Sequence, residues 1–87
     1  MQERKIIIQN KTGMHARPAS ILVGFLKKFD ESDIYFVRGD AKFNVKSILN
    51  LLSMGLSQGS EVTLVVEGGD EEEVINEIVK FMEELEE

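Results

Sequence analysis

The sequence predicts an α+β fold, an open-faced two-layer sandwich of a four-stranded antiparallel sheet and three helices, in which the first and third helices pack on one face of the sheet. Segments of strand composition alternate with amphipathic segments in the order β-α-β-β-α-β-α. A chain of 87 residues is long enough for one modest core, so we expect a single domain over residues 1–87. So few elements cannot cover both faces of a sheet, and one face should be left largely exposed to water.

The first strand and the first helix are predicted from an isoleucine run and an apolar stripe. The run within Lys5–Gln9 indicates a buried strand. A loop ending at Gly13 follows, and then a helix over Ala16–Phe29. The apolar positions of this helix recur at the spacing of one buried face: Ala19, Leu22, Val23, Leu26 and Phe29.

A hairpin and a short helix follow in the middle of the chain. Ile34–Arg38 is rich in strand-forming residues, and Lys42–Val45 alternates polar and apolar residues, so we expect the two to pair across a turn. Ser47 is placed to cap a second helix, because its hydroxyl can accept a hydrogen bond from a first-turn amide. That helix should run to Met54, with Gly55 as its stop.

The last strand and the last helix have the clearest patterns. The β-branched density of Glu61–Glu67 predicts a central strand. Asp70 and Glu73 resemble a capping box, after which an apolar face continues to Leu85. The glutamates at 83, 84, 86 and 87 are expected to fray. The predicted core includes Leu22, Leu26, Val62, Leu64, Ile78 and Met82.

Composition narrows the function classes. The absence of cysteine excludes a disulfide scaffold and thiolate chemistry. No apolar run approaches the roughly 18 residues of a membrane span, and no signal peptide is evident, so we expect a cytoplasmic protein. The net charge of −6 is uneven, because residues 1–50 carry nine Lys/Arg against five Asp/Glu, and residues 51–87 carry one against eleven. This polarity disfavours nucleic-acid binding and fits docking to an acidic protein surface, although much of the acidic half also fits the solvated face of a helix.

The candidate site is the segment Gly13–Ser20, which holds the only histidine and the only proline of the chain. Pro18 has no N–H and must lie in the first helical turn, which places His15 at or just before the helix start. The amide groups of a helix N-terminus favour anions, and Arg17 adds a cation there. The set suits a nucleophile that receives a phosphoryl group and holds it. From spacing alone, however, a surface or capping histidine is the commoner interpretation.

The chain resembles HPr, the histidine-containing phosphocarrier of the bacterial sugar phosphotransferase system. The resemblance covers nearly the whole length. It is carried by Gly13–Ala19, which looks like the active-site signature, and by the later blocks Asn44–Ile48, Leu51–Gly55 and Glu67–Asp70. Independent segments at family-like spacing are far more specific than one histidine near an arginine.

The resemblance implies a fold, a role and a set of site residues. His15 would take a phosphoryl group on its pros nitrogen, Nδ1, from enzyme I, which is charged by phosphoenolpyruvate, and pass it to IIA components of sugar permeases. Ala16 and Arg17 would bind the phosphate. Ser47 matches the serine that HPr kinase/phosphorylase modifies in many bacteria. The docking surface would comprise the apolar Leu49 and Leu52 with the cations Lys27 and Lys46.

The same resemblance implies a monomeric carrier with no cofactor and no metal, not a turnover enzyme. A rival hypothesis belongs to another class. In it the chain is a regulatory binding module whose output is the phosphorylation state of Ser47, recognised by a catabolite-control transcription regulator. For Ser47 taken alone, an ordinary helix cap is the favoured interpretation. With the matched block around it, the cap and the regulatory site are about equally consistent with the sequence.

Overall fold

The computed structural model describes residues 1–85, and the predicted fraying of Glu86 and Glu87 lies outside that range. Four strands and three helices follow one another in the predicted order. Their bounds are β1 Gln2–Ile7, α1 Ala16–Leu26, β2 Asp33–Arg38, β3 Ala41–Asn44, α2 Ile48–Ser53, β4 Glu61–Glu67 and α3 Glu71–Glu84. Glu83 and Glu84, also expected to fray, still lie within α3.

The sheet is fully antiparallel, with strand order β1-β4-β2-β3. The predicted open-faced architecture is therefore confirmed, and β4 occupies the central position that its composition indicates. Because side chains alternate across a strand, Val62, Leu64 and Val66 of β4 lie on the face that the helices cover. Val65 lies on the other face and is buried there, paired with Glu3 of β1 and Tyr35 of β2.

One hydrophobic cluster joins the helices to the covered face of the sheet. The predicted core residues Leu22, Leu26, Val62, Leu64 and Ile78 are each at most 1% exposed. The prediction for Met82 was wrong, because this residue is only half-buried. It lines a shallow groove between α3 and β1, so part of its surface stays open.

The prediction of a buried first strand was also wrong. β1 lies at the edge of the sheet and begins three residues earlier than expected. Ile7 pairs with Glu61 on the uncovered face and is 56% exposed, whereas Ile6 packs against the core and Ile8, just after the strand, is buried. An isoleucine run does not distinguish an edge strand from a central one.

The first helix ends earlier than its apolar stripe suggests. Lys27 is the C-cap of α1, and the next two residues close tighter turns, with the Lys28 and Phe29 amides donating to Phe25 and Leu26. Phe29 still packs against the core, so the stripe predicts burial correctly without predicting a helical backbone. Within residues 1–85, no helix is long and apolar enough to cross a membrane.

Candidate functional site

The loop between β1 and α1 is held tightly against the loop that follows α2. Gly13 has a φ of +69°, and a Cβ at this position would lie 2.4 Å from the carbonyl oxygen of Leu56 and 2.7 Å from Cα of Ser57. The amide of Met14 donates to that same Leu56 oxygen at 2.9 Å, and the Met14 side chain is buried. Only glycine allows the two loops to approach so closely, and this contact holds the backbone of Met14, the residue before His15, in place.

His15 is the N-cap of α1, as the position of Pro18 predicts. Its backbone is extended, with φ −81° and ψ −174°, and its carbonyl accepts the first helical hydrogen bond from Ala19 at 2.9 Å. Its side chain is exposed and makes no capping hydrogen bond. The imidazole is therefore held at a helix N-terminus without being used to cap it.

The three residues after His15 form the first turn of α1. Ala16 and Arg17 occupy the first two helical positions and are exposed, whereas Pro18, at the third, is buried. First-turn amides have no acceptor within their own helix and point towards the N-terminus. The helix dipole adds roughly half a positive charge there. Arg17, as the second residue of the helix, carries a positive charge in the same turn. Despite the proline, α1 begins regularly, as the Ala19 to His15 bond shows.

This arrangement suits covalent chemistry at an exposed nucleophile. A neutral imidazole has one nitrogen with a free lone pair, and a phosphoryl group formed on it would lie beside amide donors and a cation. Across residues 1–85, no cluster of histidine, aspartate and glutamate is arranged to hold a metal ion. The exposed imidazole and the first-turn amides of α1 suit transfer of an anionic group.

Ser47 is the N-cap of α2, which confirms the capping prediction. Its backbone is extended, with φ −98° and ψ 118°, and its Oγ accepts from the amide of Asn50 at 3.4 Å. The residue is half-buried. Asn50 also donates from its side chain to the carbonyl of Asn44 at 3.2 Å, which ties the first turn of α2 to the end of β3.

The four predicted docking residues differ in their surroundings. Leu49 is 77% exposed and Leu52 is 37% exposed, so α2 presents both to solvent. Lys27 is exposed at the end of α1. Lys46, in contrast, donates from Nζ to the carbonyls of Phe29 at 2.7 Å and Ser32 at 2.6 Å. Its ammonium therefore binds the backbone of the segment after α1, a contact that the sequence did not predict.

Sequence reasoning also missed two polar residues. Asn10 is 7% exposed and donates from Nδ2 to the carbonyl of Gly13. Arg38 donates from Nη2 to the carbonyl of Met54, the C-cap of α2. An asparagine three residues before a glycine is typical of a turn and could have indicated the first contact. The second joins residues 16 positions apart, and no local pattern indicates it.

Two carboxyl groups at the start of α3 have altered acidity. The N-terminal ammonium of Met1, 2.6 Å from Glu71, lowers the pKa of that carboxyl, and a hydrogen bond from the Gly68 amide lowers it further. The neighbouring Asp70 raises the pKa of Glu73. Both residues lie in the first turn of α3, where the Met1 ammonium favours the ionised form of Glu71 and the repulsion from Asp70 disfavours that of Glu73.

Comparison with known proteins identifies the family. The family model described as "PTS HPr component phosphorylation site" matches residues 2–84. The HPr-like protein Crh of Bacillus subtilis is 37% identical over 84 residues, which cover 97% of this chain and 98% of Crh. The phosphocarrier protein HPr of Mycoplasma pneumoniae is 39% identical over 84 residues, covering 95% of this chain and 94% of that protein.

Solved structures agree with the sequence matches. The crystal structure of HPr-C-His from Thermoanaerobacter tengcongensis superposes with a TM-score of 0.88 at 47% identity, covering 95% of this chain and 92% of that one. An HPr dimer from the same organism superposes with a TM-score of 0.68 at 44% identity, covering 95% and 94%. The match to the family therefore extends over nearly the whole chain in sequence and in fold.

Proposed function

Since the chain belongs to the HPr family of phosphocarrier proteins of the phosphotransferase system, which carry a phosphoryl group and are not turnover enzymes, we propose that it relays phosphoryl groups through His15. Enzyme I, charged by phosphoenolpyruvate, would be the donor, and the IIA components of sugar permeases would be the acceptors. The relay would serve sugar uptake and would operate in the cytoplasm, without a cofactor.

The geometry of His15 is the observation that carries this proposal. An exposed imidazole at the N-cap of α1 can meet a donor on one protein and an acceptor on another without entering a cavity. The loop before it is held by the Met14 to Leu56 hydrogen bond, so the ring is presented from a fixed backbone. Pre-organisation of this kind favours transfer, because the nucleophile does not have to be ordered at each encounter.

The chemical step is an exchange of one bond to phosphorus for another. The lone pair of Nδ1 of neutral His15 attacks the phosphorus on enzyme I, the bond from phosphorus to the donor breaks, and its electron pair returns to the donor. The phosphoryl oxygens then lie near the first-turn amide of Ala16 and the Arg17 cation, which favour the anionic group. Transfer to a IIA component reverses these events.

Docking is proposed to use the surface formed by the N-terminus of α1 and the exposed side of α2. Leu49 and Leu52 would supply apolar anchors, and Lys27 would supply an exposed charge that assists encounter with an acidic partner. Lys46 would contribute from a partly buried position, since its ammonium already binds two backbone carbonyls.

Ser47 is proposed as the regulatory site, modified by HPr kinase/phosphorylase. Its Oγ lies at the N-terminus of α2, where a phosphate of about two negative charges meets first-turn amides. The same phosphate would adjoin Leu49 and repel the acidic surface expected on enzyme I. A regulator that offers cations would instead gain charge-assisted hydrogen bonds. The Ser47→Asp variant should accept phosphoryl groups more slowly at low salt, with an unchanged or slightly raised melting temperature.

We propose that the chain acts as a monomer and binds neither nucleic acid nor membrane. The core cluster draws on all three helices and on strands β2 and β4 of one chain, which supports a self-sufficient fold. Because one related structure is an HPr dimer, light scattering of the purified protein is the appropriate test. A mass of one chain at micromolar concentration supports the proposal, and a mass of two chains contradicts it.

A second candidate function is favoured by the similarity to Crh and by the placement of Ser47. In this alternative the chain is a regulatory module, and phosphorylated Ser47 is its output to a transcription regulator. Acid lability separates the two functions. Label from phosphoenolpyruvate and enzyme I should be lost in acid, as phosphohistidine is, and should be absent from His15→Ala. Failure of the parent to take this label, with acid-stable labelling by kinase and ATP, would favour the regulatory module.

A further inference from the structure

We infer that Asn10 is a positioning residue for the phosphoryl acceptor, an inference that rests on the proposed role of His15. Asn10 lies in the turn between β1 and α1, five residues before the histidine, and it is 7% exposed. Its side-chain Nδ2 donates to the backbone carbonyl of Gly13 at 2.5 Å. The backbone carbonyl of Asn10 accepts from the Gly13 amide at 3.1 Å. A buried amide side chain thus fixes the last glycine before the site.

The two hydrogen bonds at Gly13 and Met14 act on the same peptide group. The Gly13 carbonyl accepts from Asn10 on one side, and the Met14 N–H donates to Leu56 on the other. A peptide held at both ends cannot rotate without losing both bonds. Removal of the Asn10 donor would leave only one of them, and glycine, with its wide range of accessible backbone conformations, offers little resistance to such a rotation.

Rotation of this peptide would reach His15 through one residue. The Met14 side chain is buried, and the His15 carbonyl is held by the Ala19 amide at 2.9 Å. The backbone of His15 is therefore determined from both sides. On the N-terminal side, Asn10 supplies a side-chain hydrogen bond to the Gly13 carbonyl. Displacement of a nucleophile by about 1 Å can slow a reaction roughly a hundredfold. Asn10 therefore affects the transfer rate without contacting the phosphoryl group.

Two variants separate this role from simple packing. Asn10→Ala removes the side chain, whereas Asn10→Asp keeps its shape and replaces the donor by an acceptor that repels the Gly13 carbonyl. Gln9→Ala is the neighbouring control, because the Gln9 side chain is exposed and the substitution keeps its backbone carbonyl, which accepts from the Gln58 side chain. Ile8→Val is the stability control, because it trims a residue 1% exposed in the same segment without altering a hydrogen bond.

The test measures initial rates of phosphoryl transfer from phosphorylated enzyme I over a range of acceptor concentrations. We expect kcat to fall about tenfold or more in both Asn10 variants, with KM unchanged, because the surface that docks is intact. Both control variants should retain the parental kcat. Parental rates in the two Asn10 variants would overturn the inference. So would an equal loss in Ile8→Val, because the loss would then follow stability.

A second readout does not depend on transfer. In amide NMR spectra of the unphosphorylated protein, the Met14 and His15 signals should shift or double in both Asn10 variants and stay in place in Gln9→Ala. Unchanged signals in both Asn10 variants would overturn the inference. If the parent protein accepts no phosphoryl group, the proposed function fails, and these spectra still decide whether Asn10 fixes the loop. If Asn10→Ala does not fold, Asn10→Asp alone decides.

Discussion

The Gly13→Ala substitution should destabilise the protein more than alanine at any other glycine near the candidate site. The new Cβ would lie 2.4 Å from the Leu56 oxygen, about 1 Å closer than ordinary contact allows, at a φ of +69°. The left-handed backbone costs about 1–2 kcal/mol for an L-residue. Relief of the clash breaks the Met14 to Leu56 hydrogen bond, at about 0.5–1.5 kcal/mol.

The expected total is about 1.5–3.5 kcal/mol, and for a domain of this size each kcal/mol lowers the melting temperature by roughly 4–8 °C. Circular dichroism during urea and thermal unfolding measures both quantities. Gly39→Ala is the matched control, because its φ is +61° but its Cβ would meet no atom within 4 Å. This variant should lose only the free energy that the left-handed backbone costs an L-residue, about 1–2 kcal/mol.

Gly24→Ala completes the series. This glycine lies inside α1 with helical backbone and no atom within 4 Å of the added Cβ, so alanine should stabilise the protein by up to about 1 kcal/mol. Equal losses in Gly13→Ala and Gly39→Ala would refute the reasoning, because the close approach to Leu56 would then carry no energetic weight. A neutral Gly13→Ala would refute it as well.

Three further outcomes are expected. Leu22→Ala removes a fully buried side chain and should cost about 2–5 kcal/mol in urea unfolding, and an unchanged midpoint would contradict its place in the core. Leu49→Glu should weaken binding to enzyme I in calorimetry more than Lys42→Glu does, whereas equal losses would indicate diffuse electrostatic attraction. Because the Met1 ammonium lowers the pKa of Glu71, the ionised carboxylate stabilises the fold near neutral pH, and this contribution is lost as pH falls through its ionisation. The urea midpoints of the parent and Glu71→Gln should therefore differ most near pH 7 and converge in acid, and a constant difference would contradict the ion pair.

The helix starts were predictable because capping is local. Pro18 determines where α1 begins, and Ser47 and Asp70 accept hydrogen bonds from amides three residues ahead. The same locality places His15 at a helix N-terminus from the sequence alone. What the spacing could not establish was a function for that histidine, which depended on the resemblance of several separate segments to one family.

The features that the sequence did not predict depend on residues that lie elsewhere in the chain. Whether Ile7 is buried depends on the position of β1 in the sheet order, which its own composition does not contain. Lys46 looks like a surface cation, yet its ammonium reaches carbonyls 14 and 17 residues away. Asn10 looks like an ordinary turn residue, yet its side chain is buried and donates to the carbonyl of Gly13 in the loop before His15.

The central claim is that His15 both accepts and donates a phosphoryl group. The most direct measurement is a chase: the protein is labelled with enzyme I and radioactive phosphoenolpyruvate, freed of enzyme I, and mixed with a purified IIA component. The account predicts that acid-labile label leaves this chain and appears on the IIA component, and that His15→Ala acquires none. Label that stays on this chain in the presence of each IIA component of its own cell, or label that survives in His15→Ala, would contradict the relay.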